Sequence, residues 1–284
     1  MALALFDHVL IVVRGGGDLA SGAIYRLHRA GFPVIVTELP TPLLVRRAVC
    51  YGSAVYDDSI VVEGITARLT TVSDAMDVVR DGVVPVIIDP QAEAIRHFKP
   101  DVVVDARMAK NCLDTTIDDA PLVVALGPGY VAGQNCHAII ETNRGHNLGR
   151  VIYQGTAEPD TGEPGRVANK THSRVLRAPD DGYVVPHAQI GDDITEGQLI
   201  AEVNGLPVYA QFSGVLRGLI HHTVKVSKGM KIGDLDPRAR RENCFTISDK
   251  SLAVGGGVLE AVLAASQLRL YWSSDSEHET SRSL

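Results

Sequence analysis

A chain of 284 residues has room for one large domain or two modest ones, and 45% apolar against 21% charged residues is an ordinary globular balance. The formal net charge of −7 speaks against sequence-independent nucleic-acid binding, which needs a basic face to displace counterions. Cys50, Cys112, Cys136 and Cys244 lie far apart without a Cys-x-x-Cys pair, so neither a disulfide framework nor a structural zinc site is expected. The apolar residues 2–6 lack a basic leader, and no apolar run nears the ~18 residues that span a bilayer. Reduced thiols, a cytoplasmic location and no membrane partner follow as expectations.

In chain order, residues 8–13 are a continuous apolar, β-branched run, the pattern of a parallel strand buried on both faces. Arg14-Gly15-Gly16-Gly17-Asp18 breaks it, and a helical face of Leu19, Ala23, Ile24 and Leu27 follows until Gly31 stops it. Residues 33–37 read as a second buried strand that ends at Glu38. A helix is expected over 43–49, then a hairpin with arms at 60–62 and 65–69 turning at Glu63-Gly64, then a short helix over 73–81 capped by Ser73. Strand-like runs at 83–88, 101–105 and 122–126 complete an alternation that implies a mainly parallel sheet with helices on both faces, occupying residues 1–150.

A Gly-, Pro-, Thr- and Asn-rich stretch makes 151–173 an expected linker or long loop. Beyond it, 174–240 turns to short strands and carries an internal repeat offset by 32 residues. Ala178, Gly182, Val184, Ile194, Gly197 and Ile200 recur as Ala210, Gly214, Leu216, Val226, Gly229 and Ile232. Neither copy can bury its own face, which predicts a small pseudo-symmetric sandwich. The motifs APDDGYV, IGDDITEGQLI, AQFSGVL and VSKGMKIGD make 174–236 resemble biotinyl/lipoyl hammerhead domains. Carriers in that group bear a modified lysine on the hairpin between the halves. The corresponding hairpin, 203–208, has no lysine, so no biotin or lipoate attachment is expected and a docking or structural role is. A helix over 256–268, within a segment 241–270, is expected to pack back on the first domain, and 271–284 is expected to be a disordered tail. The fold class expected is therefore α/β, a Rossmann-like parallel-sheet domain plus a small all-β, hammerhead-like barrel-sandwich.

The glycine turn is the sharpest chemical signal. Gly15-x-Gly17-x-x-Ala20 follows a strand and opens a helix, the G-x-G-x-x-A form of a dinucleotide fingerprint. Gly15 permits the tight turn, Gly17 lets backbone N–H groups approach a phosphate, and Ala20 or Gly22 keeps helix and strand close; Gly16 belongs to the same expected cofactor-binding turn. Glu38 lies where a carboxylate accepts from a ribose diol, which favours NAD over NADP; a solvated strand end is the alternative. Asp18, too near an anion site to welcome phosphate, reads as a helix cap. Asp89, Asp105 with Arg107, and Gly127 with Gly129 and Tyr130 gather at the carboxyl ends of other strands, where open α/β sheets bind ligands. Asp105 and Arg107 read equally as a structural pair, and Gly127–Gly129 as a loop breaker.

Cys136-His137-x-x-x-Glu141-x-x-Arg144-Gly145-His146 concentrates reactive groups. His137 and Glu141 would share a face of a helix or a strand as base and orienter, would ligate a metal with His146, or would make interdomain hydrogen bonds. No metal is assigned. Arg46-Arg47 is expected on an exposed helix face and His221-His222 solvated on a strand.

The series RGGGDLASG, TELPTPLxxRR, VVVDARM, LGPGYVAGQNCHAIIETNRGH and GGVLEA covers most of the chain and resembles the YqeB-like family, associated with selenium-dependent molybdenum hydroxylases. The first domain is also similar, distantly, to part of the XdhC-type accessory proteins that help insert sulfurated molybdenum cofactor. The resemblance implies a maturation or accessory role, with a nucleotide or a molybdopterin-type cofactor as ligand and a molybdenum hydroxylase or its maturation machinery as partner. It leaves open whether the chain is an enzyme and whether it self-assembles. The competing readings are an NAD-dependent oxidoreductase using His137 and Glu141, and a nucleotide-sensing scaffold without catalysis.

Overall fold

The glycine turn sits where the sequence puts it, between β1 (Ile11–Arg14), all of whose residues are buried, and α1 (Asp18–Ala30). The computed structural model describes residues 6–160 and 172–268. The apolar residues 2–5, residues 161–171 of the expected linker and the expected tail at 271–284 lie outside the described residues. Gly31 ends α1 in the left-handed conformation at φ 97°, with its N–H returning to the last turn, and β2 (Val34–Glu38) follows.

The expected helix at 43–49 is instead a looped segment with single 3-10 turns, leading to a four-residue helix, α2 (Ala54–Asp57). The hairpin β3 (Ser59–Val62) and β4 (Ile65–Thr70) turns at Glu63 and Gly64, both at positive φ, as a two-residue type I′-like turn requires. Then come α3 (Ala75–Arg80), β5 (Val84–Ile88), α4 (Glu93–Phe98), β6 (Val102–Asp105), β7 (Leu122–Leu126), β8 (Ala138–Ile140) and β9 (Val151–Ile152). Ser73 does not cap α3; its hydroxyl bonds Thr71 and Asp74 instead.

These strands form one sheet in the order β3-β4-β5-β2-β1-β6-β7-β8-β9. The Rossmann-like parallel sheet with a hammerhead-like partner is not the architecture found. The sheet is mixed: the hairpin makes β3 antiparallel to β4, and a ten-residue return from β8 makes β9 antiparallel to it. Helical cover is thin as well, since α2, α3 and α4 have only four, six and six residues.

The second unit comprises β10 (Val175–Arg177), β11 (Gly182–Pro186), β12 (Asp193–Ile194), β13 (Leu199–Val203), β14 (Leu206–Tyr209), β15 (Gly214–Leu219), β16 (Lys225–Val226) and β17 (Lys231–Asp236). They make two antiparallel four-stranded sheets, β10-β17-β15-β12 and β14-β13-β11-β16, around one apolar core. The 32-residue offset carries one sheet onto the other, so each sheet mixes strands of both copies.

The last helix, α5 (Asp249–Ala264), begins seven residues before the expected 256 because the Ser248 side chain caps it, accepting from Ser251 N–H. It crosses α1 at backbone contact: a Cβ on Gly22 would lie 2.0 Å from Ser251 O, and one on Gly255 2.2 Å from Gly22 O. Gly22 is therefore a helix–helix contact, with α5 rather than a strand as its neighbour. No helix among the described residues is long and apolar enough to cross a membrane.

Candidate functional site

A cavity of about 670 Å³ opens at the carboxyl edge of the sheet, in front of α1. That size suits a small ligand. The three turn glycines face it differently. Gly15, at φ 91°, is required by the backbone itself. Gly16 is a packing glycine: a Cβ there would sit 2.5 Å from Gly52 N, and Gly52 N–H donates to Gly16 O at 2.9 Å. Gly17 is neither. Its φ of −73° suits any residue, and a Cβ would meet only Leu44 Cδ2 at 3.7 Å. Gly17, not Asp18, is the N-cap, and the N–H groups of Gly17, Asp18 and Leu19 make no hydrogen bond among the described residues while these residues line the cavity.

Glu38 does not reach outward. Oε1 accepts from Gly16 N–H at 2.7 Å and Oε2 from Leu39 N–H at 2.9 Å, so the carboxylate closes the turn from behind. Burial pushes its pKa up, and the two N–H donors hold it down in part. Asp18 pairs with Arg46 at 2.8 Å. Arg46 is buried, contrary to the expected exposed face, and also donates to Asn243 O and Thr246 O, while Arg47 donates to Leu219 O. Both arginines thus join the sheet unit to the rest of the chain.

Asp105 and Arg107 form a pair at 2.6 Å under the cavity floor, inside a larger network. Thr115 donates to Asp105, Arg14 donates to Thr115 at 2.7 Å, and Asp114 receives both Arg14 and Arg107 at 2.9 and 2.7 Å. Burial opposes ionisation of Asp105, but Arg107 and Thr115 outweigh it and its pKa is lowered. The hydrogen bond from Arg14 is the main reason that Asp114 falls to about 2. Asp89 accepts from the N–H groups of Glu93 and Ala94 at the start of α4.

His137 and Glu141 are not brought together. The segment is strand β8, not helix, and the two residues flank its opposite ends, about 13 Å apart at the rise of a strand. His137 Nδ1 accepts from Val123 N–H at 3.0 Å at the amino end of β7, and burial lowers its pKa. Glu141 is buried and accepts from Asn143 N–H and Glu158 N–H at 2.7 and 2.8 Å. Both hold backbone. His146 is exposed, and no cluster of three or more His, Cys, Asp or Glu suited to a metal occurs among the described residues. Gly127 and Gly129 are packing glycines at positive φ: their Cβ atoms would lie 2.6 Å from Thr142 Oγ1 and from the Lys110–Asn111 backbone. His221 is not solvated freely; its ring stacks on Tyr56 at 4.1 Å.

A second cavity, about 430 Å³, adjoins the first and lies between the sheet edge and the β-sandwich unit. Asp18, Arg46 and Lys231 line both. The second cavity has a basic surplus, seven Lys and Arg side chains against four Asp and Glu. Sequence reasoning missed this wall, contributed by Arg174, Arg217, Lys231 and Lys250. A signal for it existed in the repeat: Val185 and Leu199 of the first copy become Arg217 and Lys231 of the second.

Comparison with known proteins comes down to sequence. No family model matches the chain. It is 46% identical over 257 residues, 90% of its length, to "Uncharacterized protein YqeB" of Escherichia coli (strain K12). This similarity supports a YqeB-like family. The chain spans about half of that relative, 48% of its length. Among solved structures, an aspartoacylase family protein from Mesorhizobium loti matches with TM-score 0.29 and 13% identity, covering 82% of this chain and 86% of that one. A succinylglutamate desuccinylase/aspartoacylase from Rhodobacter sphaeroides matches with TM-score 0.25 and 14% identity, covering 81% and 85%. Likenesses this distant bear on neither the fold nor any activity.

Proposed function

We propose that this chain is an accessory protein for molybdenum hydroxylases that holds a phosphate-bearing cofactor, a nucleotide or a molybdopterin-type compound, in the cavity before α1. The accessory role follows from the YqeB-like resemblance and its partner would be a molybdenum hydroxylase or its maturation machinery. The binding role rests on one observation, the open space at Gly17. A position whose backbone suits any residue is left without a side chain where three unbonded N–H groups and the positive end of a 13-residue helix meet a cavity. The apolar rim, with Leu39, Leu43 and Leu113 exposed at 48%, 57% and 65%, suits a planar ring. With the Glu38 carboxylate committed to backbone N–H groups, recognition does not pass through a ribose diol at that residue.

Titration calorimetry with AMP, ADP and NAD tests the binding role. At least one should bind, and Gly17→Asp should abolish that binding, because it places a carboxylate where the phosphate sits. Absence of binding by all three overturns the nucleotide as ligand, and unchanged binding to Gly17→Asp overturns the cavity before α1 as the site.

A further inference from the structure

The second cavity carries charge that the protein does not neutralise. Most of its ions are paired: Arg174 with Asp234 at 2.8 Å, Lys110 with Asp160 at 2.6 Å, Arg46 with Asp18 at 2.8 Å, and Arg144 with Asp249 at 2.9 Å, while the Glu158 carboxylate is held by the Asn143 and Asn147 amides. Lys231 and Lys250 are different. Neither amine has a hydrogen bond or an ion pair among the described residues. Lys231 stays accessible because both cavities open onto it, yet enough protein surrounds it that burial lowers its pKa, with attraction to Asp234 and Asp18 opposing and repulsion from Arg174 and Arg217 adding to the shift. Burial and then Arg144 lower Lys250 likewise. Arg217 has only distant carboxylates, Asp236 at 3.8 Å and Asp234 at 4.0 Å, each already closer to another arginine. Like charges crowded into one concave space repel one another and concentrate anions.

The placement of this surplus relative to α1 sets the ligand class. Asp18 and Leu19, whose N–H groups are unbonded, line both cavities, and so does Lys231. We infer that the ligand carries a diphosphate, with one phosphate at the amino end of α1 and the terminal phosphate held by Lys231 and Lys250. The inference rests on the binding role proposed above for the first phosphate; the second cavity is the subsite it adds. A monophosphate leaves the lysines without a counter-ion, whereas charge-assisted hydrogen bonds to a terminal phosphate supply one.

The test compares AMP, ADP and inorganic pyrophosphate by calorimetry on wild type, Lys231→Met, Lys250→Met and Gly17→Asp, with circular dichroism to verify that each variant is folded. ADP should bind about tenfold or more tighter than AMP. Each lysine variant should bring that ratio towards one while leaving AMP affinity within about twofold. Pyrophosphate should bind wild type and Gly17→Asp through the second cavity and fail with the lysine variants. Equal AMP and ADP affinities, or an ADP preference that survives both lysine variants, overturn the diphosphate inference and leave the binding role standing. Lysine-dependent pyrophosphate binding without any nucleotide binding overturns the role proposed for the first cavity and keeps the second as an anion subsite.

Discussion

The two copies of the repeat have the same backbone plan and opposite surroundings. In the first, Tyr183 and Val185 project from β11 with 54% and 52% exposure. Their equivalents on β15, Val215 and Arg217, are buried or nearly so, because that copy faces the sheet unit. Glu202 is half-exposed beside His187, while its equivalent Asp234 is buried against Arg174. Pro186 is exposed, whereas its equivalent Gly218 lets Val45 O approach within 2.7 Å of where a Cβ would stand. One copy keeps the repeat as plain structure. The other has exchanged the apolar Val185 and Leu199 for charge and Pro186 for close contact, and so builds the wall of the second cavity.

Substitutions at equivalent positions should therefore have unequal effects. Asp234→Asn removes the carboxylate from a buried ion pair and should cost about 3–5 kcal/mol in urea unfolding. Glu202→Gln, at the matching position, should change stability by less than about 0.5 kcal/mol, and equal losses would dissolve the contrast. Gly218→Ala forces a Cβ against Val45 and should cost about 1–3 kcal/mol, while Pro186→Ala should be close to neutral by the same measurement.

Lys231→Leu restores the residue type of the first copy. In the wild type the folded-state pKa of Lys231 is lowered below its usual 10.5, so the folded chain binds fewer protons than the unfolded chain between the two values. Stability contributed by this group therefore rises with pH across that window. Denaturation midpoints against pH should show this rise flattened in Lys231→Leu and retained in Lys228→Leu. The smallest stability effect belongs to Gly17→Asp. An aspartate at an N-cap is a few tenths of a kcal/mol better than glycine, so the variant should melt at or slightly above the wild-type temperature even as nucleotide binding is lost. A variant that fails to fold would mean that Gly17 is a packing glycine after all.

Much of the framework was legible in short stretches of chain. β-branched runs at 8–13, 33–37 and 122–126 marked strands, Gly31 marked a helix end, and Glu63-Gly64 marked a hairpin. Each is decided within a few residues, by side-chain periodicity or a positive φ. The direction of the far edge was not legible, since β9 has only two residues and no pattern to read, whereas the hairpin at Glu63-Gly64 already implied an antiparallel β3. The site was legible only in part. The turn at Gly15–Ala20 announced a helix amino end, but sequence could not show that Gly16 is packed against Gly52 while Gly17 is open, or that Glu38 turns back onto the turn.

By itself, then, the sequence determined the strand–turn–helix at residues 11–30 and the 32-residue repeat. Only the tertiary structure decided which members of those patterns face a cavity. Gly16 is filled by Gly52, Gly22 by Ser251, and Glu38 by the turn it was expected to serve. Arg14 reaches Thr115 across 101 residues, and Arg46 reaches Thr246 across 200. Local pattern encodes which residues leave water; it carries no record of which distant backbone or charge meets them there. Gly17, Lys231 and Lys250 stand out because they are the positions those long-range contacts leave unfilled.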